Sequence, residues 1–239
     1  STQYKLVKTA KWVGDGIAEI SFKLDTKVRT STEHDTDFIV VLDRTDSMNF
    51  KLSADSDVTR MNEAKEAINA LIDKVLIDKN RVAFITFVLV RDPNCVYSNE
   101  PFKRYRIYLE GGYKENNKLV FASAIDKEKL KESVDGTKPF SNSEWNSLGG
   151  KSCSPTHATE YSKPLESVIN LLNGDTNTNK KIVLFVTDGS YNLGEKDFRT
   201  ENINDTRKNL KGNVEVYGIL YNDSKKIDCI DGKSCLEYL

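Results

Sequence analysis

A chain of 239 residues is long enough for one core of roughly 200 residues with elaborations, or for two small domains. Its 38% hydrophobic and 30% charged residues describe a globular protein with a heavily solvated surface, and a formal net charge of -1 gives nucleic acid no basic excess to bind. No apolar run approaches the ~20 residues of a bilayer span, and two histidines, His34 and His157, leave little material for a histidine-based zinc site.

The chain starts at Ser1 without a charged-then-apolar leader, as expected where a signal peptide is absent or already removed. Residues 4–29 alternate in places, with Ile20, Phe22 and Leu24 on one side, and a Gly14-Asp15-Gly16 turn divides them. That pattern predicts a β-hairpin with one buried face, with Trp12 in the core. The run Phe38-Ile-Val-Val-Leu42 predicts a strand buried on both faces, followed at once by Asp43, Thr45, Asp46 and Ser47. From Thr59 to Leu76, apolar residues recur at i, i+3 and i+4 and predict an amphipathic helix capped by Thr59. Arg81–Val90 is a second continuous apolar strand.

Residues 91–158 are polar and rich in Asn and Gly. They are expected to hold a hairpin over residues 104–123 and one short helix over residues 126–134. A further helix should begin near Ser162, with Pro164 in its first turn, and stop at Gly174. Lys180–Thr187 predicts a third buried strand, again ending in an acidic loop at Asp188. A polar helix over residues 202–210 and a strand over residues 214–221 complete the regular part. Helices alternating with continuous apolar strands imply an α/β fold, a doubly wound and mostly parallel sheet flanked by helices.

In such sheets ligands bind beyond the carboxyl ends of the strands. Asp43, Thr45 and Ser47 stand two residues apart in one loop, so a tight turn can aim all three oxygens at one centre. Asp188 ends a second strand. Oxygen donors without nitrogen or sulfur suit a hard cation such as Mg²⁺ or Mn²⁺, with Ca²⁺ as the alternative. The plainer reading makes Thr45 and Ser47 turn caps and Asp43 a solvated carboxylate.

Three segments in order decide between these readings. Phe38–Met48 resembles the first strand and loop of the von Willebrand factor type A family, whose metal-ion-dependent adhesion site combines Asp-x-Ser-x-Ser with a distant Thr and a distant Asp. Lys181–Ser190 resembles the family's strand-Asp-Gly segment and places Asp188. His157–Leu165 is similar to its Gly-Gly-Thr-x-x-Gly-x-Ala-Leu segment, and counting six back from Leu165 selects Thr159 rather than Thr156. The resemblance covers roughly residues 37–90 and 119–222. It implies a metal site of Asp43, Thr45, Ser47, Thr159 and Asp188. Thr45 replaces the usual Ser, Asp46 stands where Gly is common, and His157 and Ala158 replace two glycines, which puts affinity and metal preference in question.

The flanks are similar to surface adhesins and pilus-tip proteins of Gram-positive bacteria. The resemblance implies a hairpin lead-in over residues 1–36, a von Willebrand factor A domain over residues 37–239, and an insertion at about 91–158 near the metal. It implies an extracellular domain, on the cell wall or pilus tip, that binds a host matrix or cell-surface protein or glycan through an acidic group, with other pilus subunits as further partners. It implies no enzyme, no nucleic acid and no membrane. Trp145, just before the Thr159 loop, is expected near the metal, either pinning the loop or touching a ligand. For an exported protein the four cysteines are expected to pair as Cys95–Cys153 and Cys229–Cys235, with four reduced thiols as the alternative. No sorting motif precedes the end at Leu239, as expected of a domain excised from a longer surface protein.

Two rival classes remain. A haloacid-dehalogenase-like hydrolase would need Asp-x-Asp-x-Thr, but Thr45 stands where the second carboxylate belongs. A structural pilus subunit with a vestigial metal site and a Lys–Asn isopeptide bond would leave no trace in a sequence this rich in both residues.

Overall fold

Strands built on continuous apolar runs need cover on two faces, and the fold supplies it. The computed structural model describes residues 3–14, 17–27, 35–53, 56–77, 79–91, 106–149, 157–158, 161–188, 208–210 and 214–221. The chain separates into two compact units, Ser1–Asp35 and Thr36–Leu239. In the first, β1 (Gln3–Gly14) and β2 (Ile17–Lys27) pair antiparallel, with an irregularity between Trp12 and Gly14. The expected hairpin is there. The side chains of this unit, Trp12 among them, lie outside the described residues.

The second unit is built on β3 (Thr36–Asp43), β4 (Arg81–Arg91), β5 (Arg106–Gly112), β9 (Lys180–Thr187) and β10 (Val214–Leu220), in the sheet order β10-β9-β3-β4-β5. The first four run parallel and β5 runs antiparallel at the edge. This is the doubly wound, mostly parallel α/β sheet expected from the sequence. Alternate residues of β3 serve opposite faces, as period-2 geometry requires. Val40 and Leu42, with Val82, Phe84 and Val186, meet α1 (Arg60–Val75) through Met61, Ala64, Ile68, Ile72 and Val75. The same cluster takes in Leu130 and Val134 of α2 (Lys127–Gly136). Ile39 and Val41, with Ile85, Phe87, Val183 and Phe185, meet Leu165, Val168 and Ile169 of α4 (Ser162–Asn173). Each such large side chain contributes roughly 1.5–3 kcal/mol by leaving water.

Local signals set the helix ends. Thr59 caps α1, its Oγ1 accepting from the Asn62 N–H at 3.2 Å. Gly174 closes α4, its N–H donating to the Asn170 carbonyl at 3.2 Å. Among the described residues no helix is long and apolar enough to cross a membrane.

The insertion differs from expectation. Residues 104–123 do not form one hairpin. β5 joins the main sheet against β4, and only β6 (Lys114–Glu115) and β7 (Lys118–Leu119) pair locally. Asn116 and Asn117, with φ of 50° and 62°, make the tight turn between them. The sheet wins because β4 would otherwise present an unpaired apolar edge, which Ile107 and Leu109 help to cover. Gly112 ends β5 with φ of 123°, where a Cβ would stand 2.1 Å from the Phe84 carbonyl oxygen. A short helix not foreseen, α3 (Asn142–Ser147), packs Trp145 with Phe140 against Val88 and Val90. β8 (His157–Ala158) pairs with the end of β4. The polar helix expected over residues 202–210 falls almost wholly outside the described residues, as do all four cysteines and their expected pairings.

Candidate metal centre

β3 lies between β4 and β9, so the chain leaves it in one direction through α1 and later returns on its other side. That reversal makes the carboxyl ends of β3 and β9 the switch point of the sheet, the place where such sheets take ligands. Leu42 pairs with Val186 across these strands, which sets Asp43 beside Thr187 and brings Asp188 to the same rim.

The loop after β3 is held from several sides. The Arg44 N–H donates to the Phe87 carbonyl at 2.9 Å, and its own carbonyl accepts from the Phe140 N–H at 2.7 Å. The Arg44 guanidinium pairs with Glu144 of α3 at 2.5 Å. A single 3-10 turn, Asp46–Asn49, follows, and Met48 plugs it into the core with no exposed surface. The insertion therefore braces the loop from α3, and Trp145 belongs to that packing, buried to 1% exposure.

Held this way, the oxygens form one connected set. The Thr45 N–H donates to Asp43 Oδ1 at 2.8 Å, an Asx-type turn that fixes the carboxylate. Thr45 Oγ1 lies 3.1 Å from Ser47 Oγ, which donates to Asp188 Oδ1 at 2.8 Å. The Thr187 hydroxyl donates to Asp43 Oδ2 at 2.6 Å, and the Tyr161 hydroxyl reaches Thr187 Oγ1 at 3.4 Å. Asp188 Oδ2 takes the Arg60 guanidinium at 2.5 Å. Four of the five residues expected at the site, Asp43, Thr45, Ser47 and Asp188, are thus brought together. Thr159 lies outside the described residues, although β8 ends just before it in the chain.

Burial dominates the electrostatics. Asp43 is fully buried and its carboxyl is pushed up to about 6, first by loss of solvent, with the Asp188 charge adding to it. Hydrogen bonds from Thr187 and Thr45 pull the other way and do not prevail. The Tyr161 phenol is likewise pushed upward by burial and by Asp43. Asp46, by contrast, is exposed. It faces a shallow polar groove shared with Asn49, Pro139, Ser141 and Asn142.

The donor set fits a hard divalent cation: two carboxylates and two hydroxyls, all oxygen, linked in one hydrogen-bonded chain. Among the described residues no group of three His, Cys, Asp or Glu forms, so hydroxyls would have to complete any such site.

Three participants were not singled out from the sequence. Thr187 carried a usable signal, a hydroxyl at the last position of a buried strand. Tyr161 reads as core, and is core as well, edge-on to Phe87 and Phe185 at centroid distances of 6.2 and 6.1 Å. Arg60 carried the clearest signal, a cation in the first turn of a helix whose dipole favours anions there.

Fold and site together define a doubly wound α/β domain with a cluster of oxygen donors at its switch point. No protein-family model matches the chain, and no curated protein does. Solved structures do. A von Willebrand factor type A protein from Catenulispora acidiphila is similar at 15% identity and a TM-score of 0.48, over 84% of this chain and 35% of that one. The conserved hypothetical protein BatB from Bacteroides thetaiotaomicron is similar at 17% identity and a TM-score of 0.47, over 77% of this chain and 66% of that one. The pilus adhesin RrgA from Streptococcus pneumoniae is similar at 23% identity and a TM-score of 0.44, over 70% of this chain and 22% of that one. This chain thus spans less than two thirds of each.

Proposed function

We propose that this chain is a divalent-cation-dependent adhesion domain of the von Willebrand factor A type, acting at a bacterial cell surface or pilus. The observation that supports it most is the cluster of Asp43, Thr45, Ser47 and Asp188 oxygens at the switch point. Asp43 supplies charge from a fully buried position, Thr45 and Ser47 supply hydroxyls, and Asp188 adds a second carboxylate from the neighbouring strand. Thr159 is proposed as the fifth ligand on the strength of its sequence context. When bound, Mg²⁺ or Mn²⁺ supplies a positive, Lewis-acidic centre for a carboxylate of a host protein or an acidic glycan.

This chain's residues do the rest. α3 and Arg44 keep the loop in one geometry, so little ordering remains to be done when a partner arrives. One charged contact gives neither high affinity nor choice of partner, so the surrounding insertion must add contact area. The exposed Phe50, at 57%, and the Asp46 groove are the nearest material for it.

Calorimetry with Mg²⁺ and Mn²⁺, paired with adhesion to matrix proteins and acidic glycans, tests the reading. Adhesion is expected to vanish in EDTA and in Asp43→Ala with the fold intact by circular dichroism. Adhesion at wild-type strength under both conditions defeats it.

A further inference from the structure

The Asp188 side chain is fully buried, yet its Oδ2 is spoken for by a cation of the chain itself, the Arg60 guanidinium at 2.5 Å. The other oxygen, Oδ1, accepts from Ser47. Arg60 is held in this position. It opens α1 behind the Thr59 cap, its N–H donates to the Phe50 carbonyl at 2.9 Å, and its guanidinium lies over the Phe50 ring at 5.7 Å. A helix dipole opposes a cation in the first turn, so the placement has to be offset by something, and the buried Asp188 carboxylate offsets it.

We infer that Arg60 is a built-in counter-ion that competes with the divalent cation for Asp188. The inference rests on the metal-site reading above and deepens it. In the metal-free protein the guanidinium supplies the counter-charge to a carboxylate that is cut off from water. When a cation binds, the two positive charges share one carboxylate, so the Arg60–Asp188 contact weakens or the cation is held less tightly. The arrangement trades affinity for a stable metal-free state. It also leaves a second positive group at the rim, where an acidic partner can engage Arg60 as soon as Asp188 turns to the metal.

The test measures Mg²⁺ and Mn²⁺ affinity by calorimetry, and metal-free thermal stability, for wild type, Arg60→Gln and Arg60→Lys, with Asp43→Ala as the reference that lacks the site. Arg60→Gln removes the charge and shortens the side chain, keeping only an uncharged amide in its place. It is expected to bind metal about tenfold tighter, to melt several degrees lower without metal, and to gain more stability than wild type on metal addition. Arg60→Lys keeps the charge in a more strongly hydrated, more readily released form, and should fall between the two. If Arg60→Gln does not fold, Arg60→Lys carries the test, with metal binding several-fold tighter than wild type expected. Equal metal affinity in wild type and the Arg60 variants overturns the inference and leaves the metal reading standing. Weaker binding in the variants overturns it too, because Arg60 would then be helping to hold the site. If neither wild type nor any Arg60 variant binds better than Asp43→Ala, the metal reading itself fails and the inference falls with it.

Discussion

The two ends of the central sheet use the same kinds of residue for different ends. At the amino ends of the strands, Arg81 grips Asp37 at 3.1 and 2.6 Å and Asp175 at 3.1 and 2.7 Å. Lys181 joins both carboxylates, and Asn179 donates to Asp37 Oδ1 at 2.9 Å. Phe121 lies under the two cations, 4.5 Å from the Arg81 guanidinium and 5.3 Å from Lys181. Two acids face two bases, and Asp37, Arg81 and Lys181 tie the starts of β3, β4 and β9 together. At the carboxyl ends, among the described residues, Asp43 and Asp188 sit among hydroxyls with one guanidinium, that of Arg60, on Asp188. A balanced cluster has nothing left to bind and works as a lock. The cluster richer in acid is suited to an outside cation.

The largest expected effect comes from breaking the lock. Asp37 is fully buried, so Asp37→Ala strands Arg81 and Lys181 with Asp175 alone. Removing one partner of a buried ion cluster costs roughly 3–5 kcal/mol. Urea denaturation should show that loss, while metal affinity at the far end stays within about twofold of wild type. A stability change under about 1 kcal/mol would make the cluster ornamental and remove the contrast between the two ends.

The next effect has the opposite sign. The Asp43 carboxyl, pushed to about 6 in the folded state, is ordinary when unfolded, near 3.8. The folded state therefore holds its proton more tightly, and its ionised form above pH 6 lowers metal-free stability by at most about 3 kcal/mol. That penalty is relieved as pH falls from 6 towards 4. Asp43→Asn should therefore be roughly 2–3 kcal/mol more stable than wild type at pH 7 in EDTA, the gain fading near pH 4, while metal binding is lost. Asp175 slopes the other way. Burial pushes its carboxyl up, but hydrogen bonds from Arg81 and Lys181 outweigh that and hold it below the usual range. Its contribution is present above its unfolded value and disappears as pH drops through the folded one. Denaturation followed from pH 7 down to about pH 2 separates the two, the Asp43 slope falling between about pH 6 and 4 and the Asp175 slope below the ordinary carboxylate value. An Asp43→Asn variant less stable than wild type at pH 7 would contradict the burial argument.

These contrasts also mark what the sequence could say. The strands of the sheet were legible because burial on both faces writes continuous apolar runs, and α1 and α4 because Thr59, Pro164 and Gly174 punctuate them. Asp43 and Asp188 were legible for the same reason, since a carboxylate directly after such a run stands out. The pairing of β5 with β4 was not, because a short amphipathic strand beside Gly-Gly reads equally well as half of a hairpin, and only the open edge of β4 decides. α3 is too short to show a period. The Arg81–Asp37–Asp175 lock joins residues 44 and 94 positions apart, and nothing local announces it. Arg60 was visible as a cation in the wrong turn of a helix, but its partner Asp188 stands 128 residues away.

The smallest effect separates packing from ligation at one position. Thr45 is buried to 4% exposure, and its two roles come from different atoms. The backbone N–H orients Asp43, and the hydroxyl lies 3.1 Å from Ser47 Oγ in the oxygen cluster. Thr45→Ser keeps both and loses one methyl group. It should change stability by at most about 1 kcal/mol and metal affinity by less than about threefold, within roughly 0.7 kcal/mol. Thr45→Val keeps the methyl shape and the N–H but removes the hydroxyl, which is not a conservative swap despite its volume. It should leave the Asp43 turn intact and weaken Mg²⁺ binding about tenfold or more, on the order of 1.4 kcal/mol. Calorimetry on the pair gives the answer directly. If the Ser and Val variants bind Mg²⁺ alike, the Thr45 hydroxyl is a packing feature of the loop and the oxygen cluster is one donor poorer than its geometry indicates.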